Sequence, residues 1–271
     1  MPIDQLARLI RDRRALLFAG ACVSMNLGLP SFSKLIDKLA SDLGYAPEIF
    51  STHGDYLELA EYYALEKGSL GPLRSWMDRT WHEGIDISKS KVHDCIVRLD
   101  FPLIYTTNYD SWLERAYEFH GKKYKKVSKA SDFVLSSDSV TQIVKFHGDF
   151  DDDQSLVLTE SQYFERLGFE SPLDIRLRSD LLSRAVLFIG YSLSDINMRY
   201  MIYKMTKLWD GAGSSAARPG WFMFLTRPNP VHERVLEARG VKAIVSESDD
   251  PSAGTEHFLS TLLDRVENAV S

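Results

Sequence analysis

The sequence of 271 residues contains only two cysteines, Cys22 and Cys95. They form no CxxC pair, and paired cysteines are the usual ligands of a structural zinc ion, so we expect neither zinc nor another bound metal. Two isolated cysteines also fit a reducing compartment. We therefore expect a protein of the cytoplasm whose fold depends on neither a disulfide nor a metal.

Long apolar runs are also missing from the sequence. No stretch approaches the roughly 20 apolar residues that a membrane-spanning helix requires. The apolar run Ala15–Ala19 is too short for the core of a signal peptide, and four arginines precede it. We therefore expect neither a membrane anchor nor secretion.

Positive charge is not in excess, because 32 basic residues stand against 38 acidic ones and the net charge is −6. A protein that binds nucleic acid usually carries a basic surface, so we expect no direct nucleic-acid binding. The patterns GxxxxGK[ST] and GxSxG do not occur in the sequence. Their absence argues against ATP hydrolysis of the P-loop kind and against a serine nucleophile.

What the sequence does contain is a regular alternation of two patterns. Short apolar runs that are typical of strands buried on both faces occur at 15–24, 101–110, 143–150, 185–195, 221–226 and 241–246. Helical periodicity is found at 3–13, 32–43, 111–119, 196–208, 229–238 and 254–268. Strands that alternate with helices predict an α/β fold, a Rossmann-like, doubly wound parallel sheet.

We expect one domain over residues 1–271, with a helical insertion or small helical subdomain at about 54–98. This insertion carries five large aromatic residues, Tyr56, Tyr62, Tyr63, Trp76 and Trp81. Aromatic residues are enriched in the cores of protein interfaces, so these residues could contact a partner. The alternative is that they pack onto the parent domain.

Polar and glycine-containing segments follow four of the predicted strands. Ligands of open α/β sheets bind beyond the carboxyl ends of the strands, so these segments should face one crevice. In the first segment, Gly20 and Ala21 are small enough for backbone N–H groups to approach a pyrophosphate, and Ser24 could donate to a phosphate. The alternative is an ordinary tight turn between a strand and a helix.

The second segment contains Asn108 and Asp110. The side-chain amide of Asn108 is both a donor and an acceptor, and it could hold a ribose hydroxyl, a carboxamide or an attacking water. Asp110 could bind ribose or anchor the loop. Alternatively, either residue could cap the helix that begins near Ser111.

The third and fourth segments contain His147 and Gly190. A histidine titrates near neutral pH, so His147 could act as a general base, unless a backbone carbonyl simply satisfies its ring. Gly190 would let a nucleotide approach, and Ser192 could bond phosphate or ribose. Asp195 could cap the next helix and still lie near a ligand, because helix N-termini attract phosphate groups.

Taken together, these segments resemble the sirtuin superfamily. The resemblance is carried by GACVSMNLGLPSF at 20–32, TTNYD at 106–110, FHG at 146–148 and GYSLSD at 190–195. The sequence departs from the family pattern at Cys22, where a glycine is usual, and at Ser31 and Ser33, where deacylating sirtuins have Asp and Arg. The four-cysteine zinc module of deacylating sirtuins is also missing.

These departures resemble the bacterial, zinc-less branch found in antiphage defence systems, whose members hydrolyse NAD. The resemblance implies NAD as substrate, catalytic roles for Asn108 and His147, and NAD binding by the other residues of the four segments. The alternatives are an NAD or ADP-ribose sensor without turnover and an NAD-dependent protein deacylase. Because the catalytic domain and its insertion fill the chain, we expect control through a homo-oligomer or through a separate sensor protein of the same defence system.

Overall fold

A computed structural model describes residues 1–135, 140–152, 155–168, 170–191, 196–211 and 218–268. Within these ranges, seven parallel strands form a single sheet in the order β3-β4-β2-β1-β5-β6-β7. The strands are β1 (Ala15–Ala19), β2 (Leu103–Thr106), β3 (Tyr124–Val127), β4 (Thr141–Lys145), β5 (Ala185–Ile189), β6 (Trp221–Leu225) and β7 (Val241–Val245). The predicted α/β class with a doubly wound parallel sheet is confirmed.

The helices that follow or connect these strands are α1 (Pro2–Arg11), α2 (Ala21–Met25), α3 (Phe32–Leu43), α4 (Pro47–Phe50), α5 (Tyr56–Lys67), α6 (Gly71–Trp81), α7 (Lys91–Arg98), α8 (Trp112–Phe119), α9 (Glu160–Arg166), α10 (Pro172–Ser183), α11 (Ile196–Gly211), α12 (Pro230–Ala238) and α13 (Pro251–Glu267). Short 3₁₀ turns occur at Ile87–Lys89 and Ala130–Leu135. Each stretch that was predicted to be helical contains a helix.

Strand β3 is an element that the apolar pattern did not predict. Its sequence is Tyr-Lys-Lys-Val, and only Val127 is buried. The strand lies at one edge of the sheet, where it pairs with β4 from Tyr124 opposite Thr141 to Val127 opposite Val144. Lysines are common on edge strands because they discourage pairing with other chains, so such a strand has no continuous apolar run.

Helices cover both faces of the sheet and bury apolar side chains against it. On one face, α1, α7, α8 and α13 pack residues such as Leu6, Ile96 and Leu259 against the strands. On the other face, α10, α11 and α12 contribute residues such as Leu177 and Ile202. Each such side chain that is fully buried stabilises the fold by roughly 1.5–3 kcal/mol relative to exposure.

A third apolar cluster lies outside the sheet and forms the helical subdomain. It joins α3, α4, α5 and α6 to the segments that follow β2 and β4, through Tyr109 and Phe150. These contacts seat the subdomain beside the carboxyl edge of the sheet. Helix α7, which ends the stretch predicted as an insertion, packs with the sheet instead.

Most of the aromatic residues of the insertion pack in or against this third cluster. Tyr63 is fully buried in it, and Tyr62, Trp76 and Trp81 pack against it while partly buried. Only Tyr56 is half exposed, at 50%. The packing alternative therefore accounts for four of the five residues.

None of the helices within the described ranges is both long and apolar enough to cross a membrane. Both cysteines are free thiols: Cys95 is buried and Cys22 is partly buried. Burial raises the pKa of both thiols, which favours the unreactive protonated form.

Candidate active site

The carboxyl ends of β1 and β5 mark the point where the order of the sheet reverses. The next three strands of the chain, β2 to β4, lie on one side of β1, and the last three, β5 to β7, lie on the other. In open α/β sheets, such a switch point opens a crevice at the carboxyl ends of the strands, where ligands bind. Gly20 directly follows β1 and Gly190 directly follows β5, so both lie at this crevice.

Gly20 and Gly190 hold the two strand ends against each other. Gly20 N donates to Ile189 O at 2.8 Å, and Cys22 N donates to Gly190 O at 3.2 Å. A Cβ on Gly20 would lie 2.6 Å from Gly190 O, and a Cβ on Gly190, whose φ is +79°, would lie 2.7 Å from Gly20 O. The close approach of two backbones thus requires both glycines, whatever else binds there.

Asn108, which follows β2, is fixed by the loop that follows β1. Its Nδ2 donates to Gly20 O at 3.2 Å and to Ser24 Oγ at 2.8 Å, and the residue is 8% exposed. Because a carbonyl oxygen only accepts, the atom facing Gly20 O must be the amide nitrogen. Both Nδ2 hydrogens are therefore used within the protein, and Oδ1 is the atom that can act on a substrate.

Three further contacts order the loops after β1, β2 and β5, and the two made by Tyr191 join different loops. Asn108 N donates to Thr106 Oγ1 at 3.0 Å. The hydroxyl of Tyr191 donates to Ala19 O at 3.2 Å and lies 2.9 Å from Thr107 Oγ1. We did not predict a role for Tyr191, although its position directly after a glycine at a strand end was a signal. Its hydroxyl therefore joins the segment after β5 to those after β1 and β2.

Asp110 contributes to the start of α8, close to the capping alternative, while Ser111 occupies the N-cap position itself. Its Oδ1 accepts a hydrogen bond from Trp112 N at 3.1 Å, at the first residue of α8, and the side chain is buried. Satisfying an N–H group at a helix start is the usual function of such a residue. Ribose binding by Asp110 stays a prediction.

His147 follows β4 and is buried, with 3% exposure. The ring of Tyr163 packs edge-on against its imidazole, with 5.3 Å between the ring centroids. The pKa of His147 is lowered to about 3, mainly by burial and to a smaller extent by the nearby charge of Arg166. At neutral pH the imidazole is therefore uncharged and can accept a proton.

Gly148 gives the chain its turn after His147. Its φ is +95°, and a Cβ there would lie 2.2 Å from Ser155 O. Val157 N then donates to His147 O at 2.9 Å, so the segment around Val157 lies along the histidine backbone. The space on the Cβ side of this glycine is therefore filled by the protein's own backbone rather than left for a ligand.

A cavity of about 290 Å³ lies beside this strand end. The described residues of its wall are Ser128, Phe146, Gly148, Ser155, Leu156, Val157, Gln162, Glu165, Arg166 and Leu173. The guanidinium of Arg166 stacks 4.2 Å from the centre of the Phe146 ring, and its Nη2 lies 2.7 Å from Asp174 Oδ1. His147, Asn108, Gly20 and Gly190 are not among these described wall residues, although both chain neighbours of His147, Phe146 and Gly148, are.

The predicted site residues therefore fall into three groups. Gly20, Ser24, Asn108 and Gly190 form one hydrogen-bonded unit at the switch point. Next to it, Ala21 is exposed at the start of α2, Asp110 accepts a hydrogen bond at the start of α8, and His147 follows the neighbouring strand β4. Ser192 and Asp195 lie outside the described residues.

Among the described residues, no group of three or more His, Cys, Asp and Glu side chains could hold a metal ion. At the switch point, the amide of Asn108 and the hydroxyls of Ser24 and Tyr191 make hydrogen bonds within the protein, whereas the imidazole of His147 packs against Tyr163.

Comparison with known proteins places this site in a family context. A family model described as "SIR2-like domain" matches residues 102–244. "NAD(+) hydrolase ThsA" of Bacillus cereus (strain MSX-D12) is 28% identical over 213 residues, which are 77% of this chain and 43% of the relative. "Defense-associated sirtuin 2" of Bacillus subtilis is 25% identical over 252 residues, which are 89% of this chain and 24% of the relative.

The chain thus spans less than half the length of these curated relatives. A solved structure described as "Structural Basis for the Mechanism and Regulation of Sir2 Enzymes" is 12% identical and has a TM-score of 0.46, with 98% of this chain and 97% of the other covered.

Proposed function

Because this chain belongs to the SIR2-like domain family, we propose that it hydrolyses NAD to nicotinamide and ADP-ribose. The observation that carries the proposal is the fixed amide of Asn108 at the switch point of the sheet, with His147 at the end of the adjacent strand. A relative with the name NAD(+) hydrolase, aligned over 77% of this chain, supports the same activity.

In this proposal NAD lies across the carboxyl ends of four adjacent strands, β4, β2, β1 and β5. The ADP half would run along Gly20–Ser24 and Gly190, with Ser192 and Asp195 in the same strand-end segment. The nicotinamide ribose would lie between Asn108 and His147, and Asp110 would support the loop under it. A bound dinucleotide at the switch point is the usual arrangement of this sheet type.

The reaction breaks the bond between C1′ of the ribose and the nicotinamide nitrogen. Nicotinamide leaves as a neutral molecule with the bonding electron pair, and positive charge develops on the ribose as an oxocarbenium-like centre. Water then forms the new bond to C1′ and releases one proton. The products are nicotinamide, ADP-ribose and that proton.

Asn108 would act through Oδ1, because both hydrogens of its Nδ2 are already donated to Gly20 O and Ser24 Oγ. The negative end of a fixed amide dipole can stabilise the developing positive charge, and the same oxygen can accept a hydrogen bond from the attacking water. The two anchoring bonds keep this dipole oriented before the substrate arrives.

His147 would take the proton from the attacking water or from a ribose hydroxyl. Its pKa of about 3 keeps the ring neutral, so the proton-accepting form is present at neutral pH. The same low pKa makes the imidazole a weak base in the free protein, so the proton would pass on to solvent after the reaction.

The direct test is incubation of the purified protein with NAD, followed by chromatography of the products. We expect nicotinamide and ADP-ribose in equal amounts. The variants Asn108→Ala and His147→Ala should fold normally and lose about 10²–10⁴-fold in rate, the usual loss for one well-placed catalytic group.

The same experiment separates the alternatives. Intact NAD that co-purifies or binds without turnover would indicate a sensor rather than an enzyme. Release of nicotinamide only when an acyl-lysine peptide is present would indicate a deacylase. Near-full activity of the His147→Ala protein would remove that residue from the mechanism.

We propose further that the protein is an effector of bacterial antiphage defence, acting in the cytoplasm. The name of the Bacillus subtilis relative and the two free thiols support this. Because hydrolysis of NAD is irreversible, the activity needs a resting state, which assembly with itself or with a sensor protein would provide. NAD turnover measured on separated oligomeric fractions, with and without a partner, tests this control.

A further inference from the structure

Lys145 is the last residue of β4 and is completely buried, with 0% exposure. Moving an ammonium group out of water is costly, and apolar residues of similar volume often serve a fold equally well or better. A fully buried lysine at the end of this strand therefore needs a reason beyond filling space.

The ammonium group of Lys145 has two partners. It donates a hydrogen bond to the main-chain oxygen of Asp110, and it lies 3.4 Å from Glu114 Oε1. Glu114 is buried on α8, and neither of its carboxylate oxygens has a hydrogen-bond partner among the described residues. Burial raises the pKa of Glu114, and the charge of Lys145 opposes that rise. Glu114 thus supplies the counter-charge, while the directed hydrogen bond goes to Asp110.

These contacts join the two halves of the candidate site. Asp110 stands two residues after Asn108, and Lys145 stands two residues before His147. We propose that Lys145 is a positioning residue that fixes the Asn108 loop relative to the strand end that carries His147. The inference rests on the proposed NAD hydrolysis, and it adds a residue that touches neither the substrate nor the reacting atoms.

The expected consequence is a loss of rate with little loss of NAD affinity. The backbone contacts between Gly20 and Gly190, at which we place the ADP half, do not involve Lys145. The relative position of Asn108 Oδ1 and His147 does depend on it. A misplacement of about 1 Å between reacting groups can cost on the order of 10²-fold in rate.

The test replaces the whole buried pair, as Lys145→Met with Glu114→Leu, so that no unpaired charge remains in the core. The matched control is Lys122→Met. Lys122 Nζ also donates to a main-chain oxygen, Val97 O, at 2.8 Å, but this contact lies away from the carboxyl ends of the strands. We expect the double variant to fold, to lose about 10–100-fold in kcat, and to keep KM for NAD within about threefold. The control should keep both constants.

A second readout does not depend on turnover. The side-chain amide signals of Asn108 in ¹⁵N–¹H spectra should shift or broaden in the double variant and remain in place in Lys122→Met. If the wild-type protein does not turn over NAD, the proposed function fails, and these signals alone decide whether Lys145 positions Asn108.

Wild-type kcat together with unchanged Asn108 signals in a folded double variant would overturn the inference. A fall in kcat together with a rise in KM and a lowered melting temperature would also overturn it, because that result indicates only a structural role. If the double variant does not fold, Lys145→Arg takes its place. It keeps the charge opposite Glu114 but moves the donors, so unchanged kcat and amide signals in that variant would again contradict the inference.

Discussion

Asn108 and His147 lie just beyond the carboxyl ends of neighbouring strands, yet the protein holds them in different ways. Asn108 is fixed by directed hydrogen bonds to Gly20 O and Ser24 Oγ. His147 is held by packing, with the ring of Tyr163 against it and almost no exposure to water. The first arrangement sets the direction of a dipole, and the second sets a protonation state.

This difference indicates how a small change would affect each side. The orientation of the Asn108 amide depends on which of its atoms donate, so a change of one atom should matter. The state of His147 depends on burial, so it should respond to pH and to the backbone around Gly148. Variants on each side can separate these two dependences.

Among variants that keep the shape of the side chain, the largest effect is expected for Asn108→Asp, which removes the donor that faces Gly20 O. A carboxylate beside that carbonyl is repelled, so the side chain must rotate and its oxygen leaves the site. We expect kcat for NAD to fall by about 10²–10³-fold. Steady-state kinetics measures this.

The matched control is Asn229→Asp. Asn229 caps α12 by accepting a hydrogen bond from His232 N at 3.0 Å, which an aspartate can equally accept. Turnover by the Asn108→Asp protein at the rate of this control would show that the amide orientation is irrelevant.

The next effect concerns the backbone that buries His147. Gly148→Ala must adopt φ of +95° and place a Cβ 2.2 Å from Ser155 O. We expect a loss of about 2–5 kcal/mol in the free energy of unfolding, from left-handed strain and overpacking together. Gly28→Ala has φ of +86° and open space around the Cβ, so it should lose only about 1–2 kcal/mol. Equal losses in urea unfolding would mean that the contact with Ser155 adds nothing.

A pH effect follows from the buried histidines. Burial lowers the pKa of His147 to about 3 and that of His93 to about 4, while nearby Asp110 opposes the shift of His93. Between about pH 6.5 and pH 4 the unfolded chain therefore binds protons that the folded protein does not. The two buried histidines therefore contribute fully to the free energy of unfolding above about pH 6.5, and this contribution is lost as the pH falls toward their folded-state pKa values.

Each such histidine should contribute a slope of about 1.4 kcal/mol per pH unit in the free energy of unfolding. Denaturant unfolding at several pH values should therefore show a shallower slope for His147→Asn than for the wild type. His53→Asn, at an exposed position, is the control. An unchanged slope for His147→Asn would mean that His147 is not buried in the neutral form.

Much of this architecture could be predicted from the sequence, because it follows from local patterns. The apolar runs predicted six of the seven strands, and helical periodicity at 32–43 matches the bounds of α3. The rule that ligands bind at the carboxyl ends of strands brought Asn108, Ser24 and Gly20 together from the sequence alone. Strand β3 was missed because an edge strand needs few apolar residues.

The rest depends on partners that are distant in the sequence. The pairing of Lys145 with Asp110 and Glu114, and the stacking of Arg166 on Phe146, arise from packing between separate elements. Gly148 signalled a special backbone conformation, but whether a ligand or the protein fills the adjacent space could not be predicted locally. A lysine inside an otherwise apolar strand was the one usable signal, since buried charges are rare unless paired.

The smallest effect is expected for Tyr191→Phe, which probes the Asn108 side from across the switch point. The change removes only the hydroxyl that donates to Ala19 O and contacts Thr107 Oγ1, and it keeps the ring packed against Phe18 at 5.4 Å. One neutral hydrogen bond is worth about 1 kcal/mol, so the free energy of unfolding should fall by about that much. Thr107 precedes Asn108, so the loss could reach the amide. An energy of about 1 kcal/mol limits the fall in kcat to no more than about tenfold.

Tyr203→Phe, on the exposed side of α11 at 43% exposure, is the matched control, and urea unfolding with NAD kinetics measures both variants. A loss in Tyr191→Phe as large as that in Asn108→Asp would mean that the hydroxyl contacts the substrate itself, and the division between a hydrogen-bonded side and a packed side would then have to be redrawn.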